Sequence, residues 1–103
     1  MEQQIYDYLC SNCIGKDNLI KNRVLRGLFG IRSDRTLRKV IQNIREDSSY
    51  KRIIGSESGR KGGFYICDTK EETIETINNI KHRANKMLRM THILEWKANQ
   101  NGS

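Results

Sequence analysis

The side chains best able to hold a metal or act as a nucleophile are Cys10, Cys13 and Cys67, with His82 and His92. Cys10-Ser11-Asn12-Cys13 has the two-residue gap of half a zinc site, which Cys67 and either histidine would have to complete. No second close-spaced pair exists, however, and Cys10 follows Leu9 on an apolar stripe. Core packing is the better reading of the pair. A redox dithiol would want a βαβ context, which is missing. The histidines stand ten residues apart with no nucleophile arrangement, and read as helix-surface residues. Gly59-Arg60-Lys61-Gly62 lacks the spacing of a phosphate loop. No carboxylate pair stands out as a catalytic dyad. The expectation is a protein that is not an enzyme, with no metal and no cofactor.

The remaining chemistry is basic. The chain of 103 residues has 19 Lys/Arg against 12 Asp/Glu, a net charge of +7. Between Lys16 and Lys61 there are 13 Lys/Arg against 5 Asp/Glu, whereas Asp68 to the end has 6 against 5. A basic centre of this kind is the footprint of a polyanion partner; a generally soluble basic surface is the plainer alternative. No run approaches the ~18 apolar residues of a membrane span. Met1-Glu2-Gln3-Gln4 is too polar for a signal or transit peptide. Three cysteines, an odd number, fit a reducing compartment, so a cytoplasmic protein is expected.

The elements that must carry these charges follow from periodicity. Ile5, Tyr6, Leu9, Cys10 and Cys13 recur at helical spacing, so residues 2–12 read as a first helix. Gly15 is its stop signal. A second helix is expected from Asp17, as cap, to Leu28, with Leu19, Ile20, Val24, Leu25 and Leu28 on one side. No clear strand separates these helices, though Ile14 is a candidate single bridging residue. Phe29-Gly30-Ile31-Arg32 reads as a tight turn, with Gly30 free to adopt positive φ. Ser33 caps a third helix whose buried stripe is Leu37, Val40, Ile41 and Ile44. Tyr50–Gly55 and Gly63–Cys67 read as the strands of a β-hairpin, with Ser56–Gly62 as its polar tip. Asp68-Thr69 then opens a helix of ~28 residues, ~42 Å long. Its first turns, Ile74 to Ile80, are expected on the core, and its tail Asn99–Ser103 is expected to fray.

A wheel of residues 33–46 sets Arg35, Lys39, Gln42 and Glu46 opposite the apolar stripe, flanked by Arg38 and Asn43. Arg and Lys donate to guanine edges, and Gln binds adenine bidentately. Arg35, Lys39 and Gln42 are therefore candidate base readers. Ser33, Thr36, Arg38 and Asn43, with Lys21, Arg23, Lys51 and Arg52, are candidate phosphate contacts. Arg60 and Lys61 sit among glycines that let a backbone approach a duplex. The plainer reading is a solvated helix face and an ordinary solubilising loop.

The order helix, helix, tight turn, helix, basic-tipped hairpin, long helix resembles the winged helix-turn-helix family of DNA-binding domains. The resemblance covers about Gln3 to Cys67. Ser33-Asp34-Arg35-Thr36-Leu37-Arg38 and the hairpin ending Gly62-Gly63-Phe64-Tyr65-Ile66 are similar to small winged-helix proteins of bacteriophages and prophages. It implies an α+β, mostly helical domain over residues 1–68, with a long C-terminal helix over 69–103. It also implies a double-stranded-DNA-binding regulator of transcription or replication. On the last helix, Met87, Leu88 and Leu94 continue the stripe while Met90, Ile93 and Trp96 fall off it. Met87, Met90, Ile93, Leu94 and Trp96 are the candidate interface of a homodimer. Folding back over its own core is the alternative for this helix. The rival function is a protein-interaction module whose basic face meets an acidic host or phage protein.

Overall fold

A computed structural model describes residues 1–60 and 62–101. Ile5, Leu9 and Cys13 recur every four residues and are all buried, which makes α1 (Glu2–Asn12) an amphipathic helix laid on the core. The chain leaves it through Gly15 at φ 85° and a single 3-10 turn, Lys16–Asn18. Two residues of strand follow, β1 (Ile20–Lys21), and then α2 (Asn22–Phe29). Here the expectation of a helix from Asp17 is corrected. Ile20 and Lys21 pair with Phe64 and Gly63, so a strand forms where local pattern reads helix. Ile14 does bridge to Ile66. Of the expected apolar side of α2, Leu25 is buried but Val24 and Leu28 are exposed.

Gly30 ends α2 at φ 67°, and the backbone N–H groups of Gly30 and Ile31 both return to the Arg26 carbonyl. Ser33 then starts α3 (Asp34–Glu46), its hydroxyl accepting from the Thr36 N–H at 3.1 Å. Leu37, Ile41 and Ile44 are fully buried, with Val40 half-buried beside them.

The hairpin is β2 (Ile54–Glu57) and β3 (Gly63–Ile66), and the sheet order is β1-β3-β2, antiparallel throughout. The first strand thus starts four residues later than expected, and it ends at Glu57 instead of Gly55. The Tyr6 and Tyr50 rings lie 4.7 Å apart and the Tyr6 hydroxyl accepts from the Arg52 N–H at 3.0 Å, which draws residues 50–52 to α1 instead of into the sheet. Ile54, Phe64 and Ile66 face the three-helix core. Alternation puts Gly55 and Tyr65 on the other face.

That outer face is crossed by α4 (Lys70–Asn101), a helix of 32 residues and ~48 Å. Thr69 caps it, its hydroxyl accepting from the Glu72 N–H at 3.1 Å. Thr76 is buried there, with its hydroxyl beside Cys67 and the Tyr65 hydroxyl. The expectation that Ile74 to Ile80 bury on the core is overturned. Ile74, Ile77 and Ile80 are 47%, 43% and 41% exposed, because the threonine side of the helix meets the sheet. The helix continues to Asn101, into the tail Asn99–Ser103 that was expected to fray; Gly102 and Ser103 lie outside the described residues. No helix among the described residues is long and apolar enough to cross a membrane. Cys13 belongs to the core and Cys10 packs against it, as the core-packing reading expects.

Candidate nucleic-acid interface

The local build of α2, turn and α3 determines which cations are free. Asn22 donates to Asp34 and accepts from Arg26 Nε, while an Arg26 Nη1 donates to the Arg32 carbonyl. The start of α3 is thereby pinned to α2. Arg35, Thr36 and Lys39 all lie exposed on α3. Arg35 and Lys39 are four residues apart, so they share one side of the helix. Gln42 is exposed and donates to Glu46 at 2.9 Å. Ser33 is engaged as the cap and hydrogen-bonds the Thr36 hydroxyl. Asn43 is half-buried and donates to Glu2 of α1 at 3.1 Å, which turns its amide toward the core side of α3. Arg38 pairs with Asp34 at 2.7 Å, with both side chains more than half exposed.

The other candidates are spread over two regions. Lys21 lies in the short edge strand, opposite Gly63 at the start of β3, and Arg23 is exposed in the first turn of α2. Arg60 is exposed in the tip, while Lys61 lies outside the described residues. Lys51 and Arg52 are exposed at the other end of the hairpin, by Tyr6. The four residues of β2, ~13 Å at strand rise, separate them from the tip that carries Arg60. Met87, Met90, Ile93, Leu94 and Trp96 are all exposed on α4, between 55% and 66%. His82 and His92 are exposed on the same helix.

Four of the basic residues between Lys16 and Lys61 are engaged by other groups of the chain. Lys16 Nζ sits 2.9 Å from both Glu57 and Glu75, tying the 3-10 turn to β2 and α4. These two carboxylates raise its pKa. Arg45 donates through Nε and Nη2 to the Ile54 carbonyl at 3.0 and 2.8 Å, and to the Ser56 hydroxyl at 3.2 Å. Burial lowers its pKa, with the neighbouring Arg83 cation acting the same way. Arg26 and Arg38 are engaged as above. Lys21, Arg23, Arg32, Arg35, Lys39, Lys51, Arg52 and Arg60 remain as exposed cations among the described residues.

Sequence reasoning missed two features. Arg83 of α4 reaches the angle between α3 and the hairpin, where it lines a crevice of about 120 Å³ with Arg38, Asn22, Glu57, Ser58 and Gly59. Its place depends on how α4 crosses the sheet, which periodicity does not encode. A larger groove of about 570 Å³ runs between the second half of α3 and α4, floored by Ile41 and Phe64 and walled by Ile80, Ala84 and Met87. The chain matches no family model, no curated protein and no solved structure.

Proposed function

We propose that this chain is a double-stranded-DNA-binding protein of the winged helix-turn-helix kind, a small regulator of transcription or replication. The observation that carries the reading is the exposed pair Arg35 and Lys39 on α3, four residues apart and opposite the buried Leu37, Ile41 and Ile44. In this reading α3 enters the major groove with its first half leading, and Arg35 and Lys39 donate to guanine edges. Gln42 lies later in the helix and must leave Glu46 to read a base. Thr36, Lys21 and Arg23 meet phosphates at the flanks, and the hairpin is the wing, with Arg60 on the backbone. Arg38 and Arg83 line the crevice between α3 and wing. Phosphates there would bring Arg83 into the contact. The protein acts as a homodimer through α4, where Met87, Met90, Ile93, Leu94 and Trp96 are each more than half exposed.

The test is fluorescence anisotropy of a labelled duplex titrated at several salt concentrations. With six to eight phosphates neutralised, log K falls against log salt with a slope of roughly −5 to −7. Absence of binding at low salt overturns the reading and favours an acidic protein partner instead.

A further inference from the structure

The exposed side of α4 carries a regular pattern. Ile77, Ile80, Ala84, Met87, Thr91, Leu94 and Ala98 are separated by steps of three and four residues in strict alternation. Such a 3.5-residue period keeps a stripe straight only when two helices wind around each other. The stripe is open: Ile77 and Ile80 are 43% and 41% exposed, Met87 and Leu94 are 66% and 55% exposed, and Ala84, Thr91 and Ala98 are exposed too. Its one polar member is already satisfied, because the Thr91 hydroxyl donates to the Leu88 carbonyl at 2.7 Å and leaves its methyl for packing.

We infer that α4 forms a two-stranded antiparallel coiled coil with a second copy of this chain, centred between Asn85 and Lys86. This deepens the homodimer reading and rests on it. The stripe is complementary to itself in that direction. Ala84 meets the partner's Met87, Ile80 meets the partner's Thr91 and Ile77 meets the partner's Leu94. Ala84 and Thr91, the thin members, each face a larger side chain, so the layers differ less in volume than when each residue faces itself. A two-fold axis makes every contact occur twice. The parallel alternative stacks Ala84 on itself beside a layer of two Met87 side chains. It also brings two basic heads to the same end. In the antiparallel pair Lys81 lies beside the partner's Leu88, so no like charges are set opposite each other. The paired seam, Ile77 to Leu94, runs ~26 Å. Ile80, Ala84 and Met87 also wall the α3–α4 groove, so the second helix lies along its mouth.

This arrangement separates residues that exposure alone groups together. Leu94 and Met87 are in the seam and Met90 flanks it. Trp96 and Ile93 point away from it, on the outside of the coil. It also sets a distance. Thr76, where α4 leaves the sheet, lies ~14 Å from the midpoint, so the two heads are ~29 Å apart along the coil. That is comparable with the ~34 Å between DNA half-sites one turn apart. Only this last step depends on duplex binding.

Sedimentation equilibrium of the full chain, without DNA, tests the coil. The wild type is expected to be a dimer. Ile80→Asp with Leu94→Asp is expected to be a monomer with an unchanged far-ultraviolet spectrum. Ala84→Met alone weakens the dimer at least about tenfold, and adding Met87→Ala restores it to within about threefold, because the exchange conserves layer volume. Trp96→Ala leaves the dimer constant unchanged. A monomeric wild type, or a dimer indifferent to the aspartates, overturns the coil. A dimer broken by the aspartates but not restored by the exchange overturns its antiparallel register. A monomer that still binds duplex sinks this inference alone, and a dimer that binds none sinks the DNA reading alone.

Discussion

Glu72 of α4 accepts a 2.9 Å hydrogen bond from the backbone N–H of Lys16, across 56 residues of sequence. Its other carboxylate oxygen accepts from the Asp68 N–H at 2.8 Å. One side chain thus joins the turn after α1, the end of β3 and the start of α4. The two donated N–H groups, Asp68 first and then Lys16, hold its carboxyl below the ordinary range. Glu72→Ala leaves both donors without this partner and should cost about 1–3 kcal/mol in urea denaturation.

The same carboxylate makes a pH prediction. Its folded pKa is depressed, so its contribution is fully present above the unfolded value, ~4.3, and is lost as pH falls through the lower folded value. Stability measured downward from about pH 5 should therefore fall less steeply in Glu72→Gln than in the wild type. Equal acid slopes would show that the two N–H bonds carry no linkage.

Arg45 is the second joint. Its guanidinium reaches the Ile54 carbonyl with two nitrogens and the Ser56 hydroxyl with one of them. Lysine has one nitrogen and cannot reproduce this fork. Arg45→Ala should destabilise by about 2 kcal/mol, and Arg45→Lys should recover only part of that loss, both read as shifts of the urea midpoint. Full recovery by lysine would reduce the role of Arg45 to its charge.

Gly55 pairs with Tyr65 across the hairpin, and a Cβ on Gly55 would stand 2.5 Å from the Tyr65 ring. The ring is buried between the sheet and α4 and has little room to move. Gly55→Ala should cost about 1–3 kcal/mol by overpacking. In a double-mutant cycle with Tyr65→Val that penalty should shrink, since the smaller side chain opens the space. Strict additivity would mean the strain lies elsewhere.

Local pattern was enough for α1, for the Ser33 cap with the buried stripe of α3, and for the Gly30 turn. Each of these is decided by neighbours within one or two helical turns. Ile20 and Lys21 were not legible as a strand, because they become one only by pairing with Phe64 and Gly63 more than forty residues later. The strand expected from Tyr50 begins only at Ile54, because the Tyr50 ring packs on Tyr6 of α1. The stripe of α4 is legible as a drifting apolar band and not as a clean heptad, because Ile74, Leu88 and the apolar residues beside it blur the alternation of three and four. A period does not say what covers it, and the sheet takes the threonine side. The basic centre was legible as a charge count. Its division into free cations and structural ones was not, since Lys16 and Arg45 find their partners only in the folded chain.

The division among the basic residues yields the sharpest expectation for binding. Arg35 and Lys39 are exposed on α3, whereas Arg60 is exposed on the hairpin tip. If α3 reads bases, Arg35→Ala with Lys39→Ala should remove about 1–3 kcal/mol of discrimination per lost base contact, and sequence preference in an operator selection should collapse. If the tip meets phosphate, Arg60→Ala should weaken all duplexes about equally and reduce the salt slope by about one. Lys16→Ala, by contrast, should leave the salt slope unchanged while lowering stability, because its ammonium is engaged by Glu57 and Glu75. Anisotropy titrations of the three variants at matched salt distinguish these outcomes. Preference that survives the loss of Arg35 and Lys39 would remove α3 from the groove.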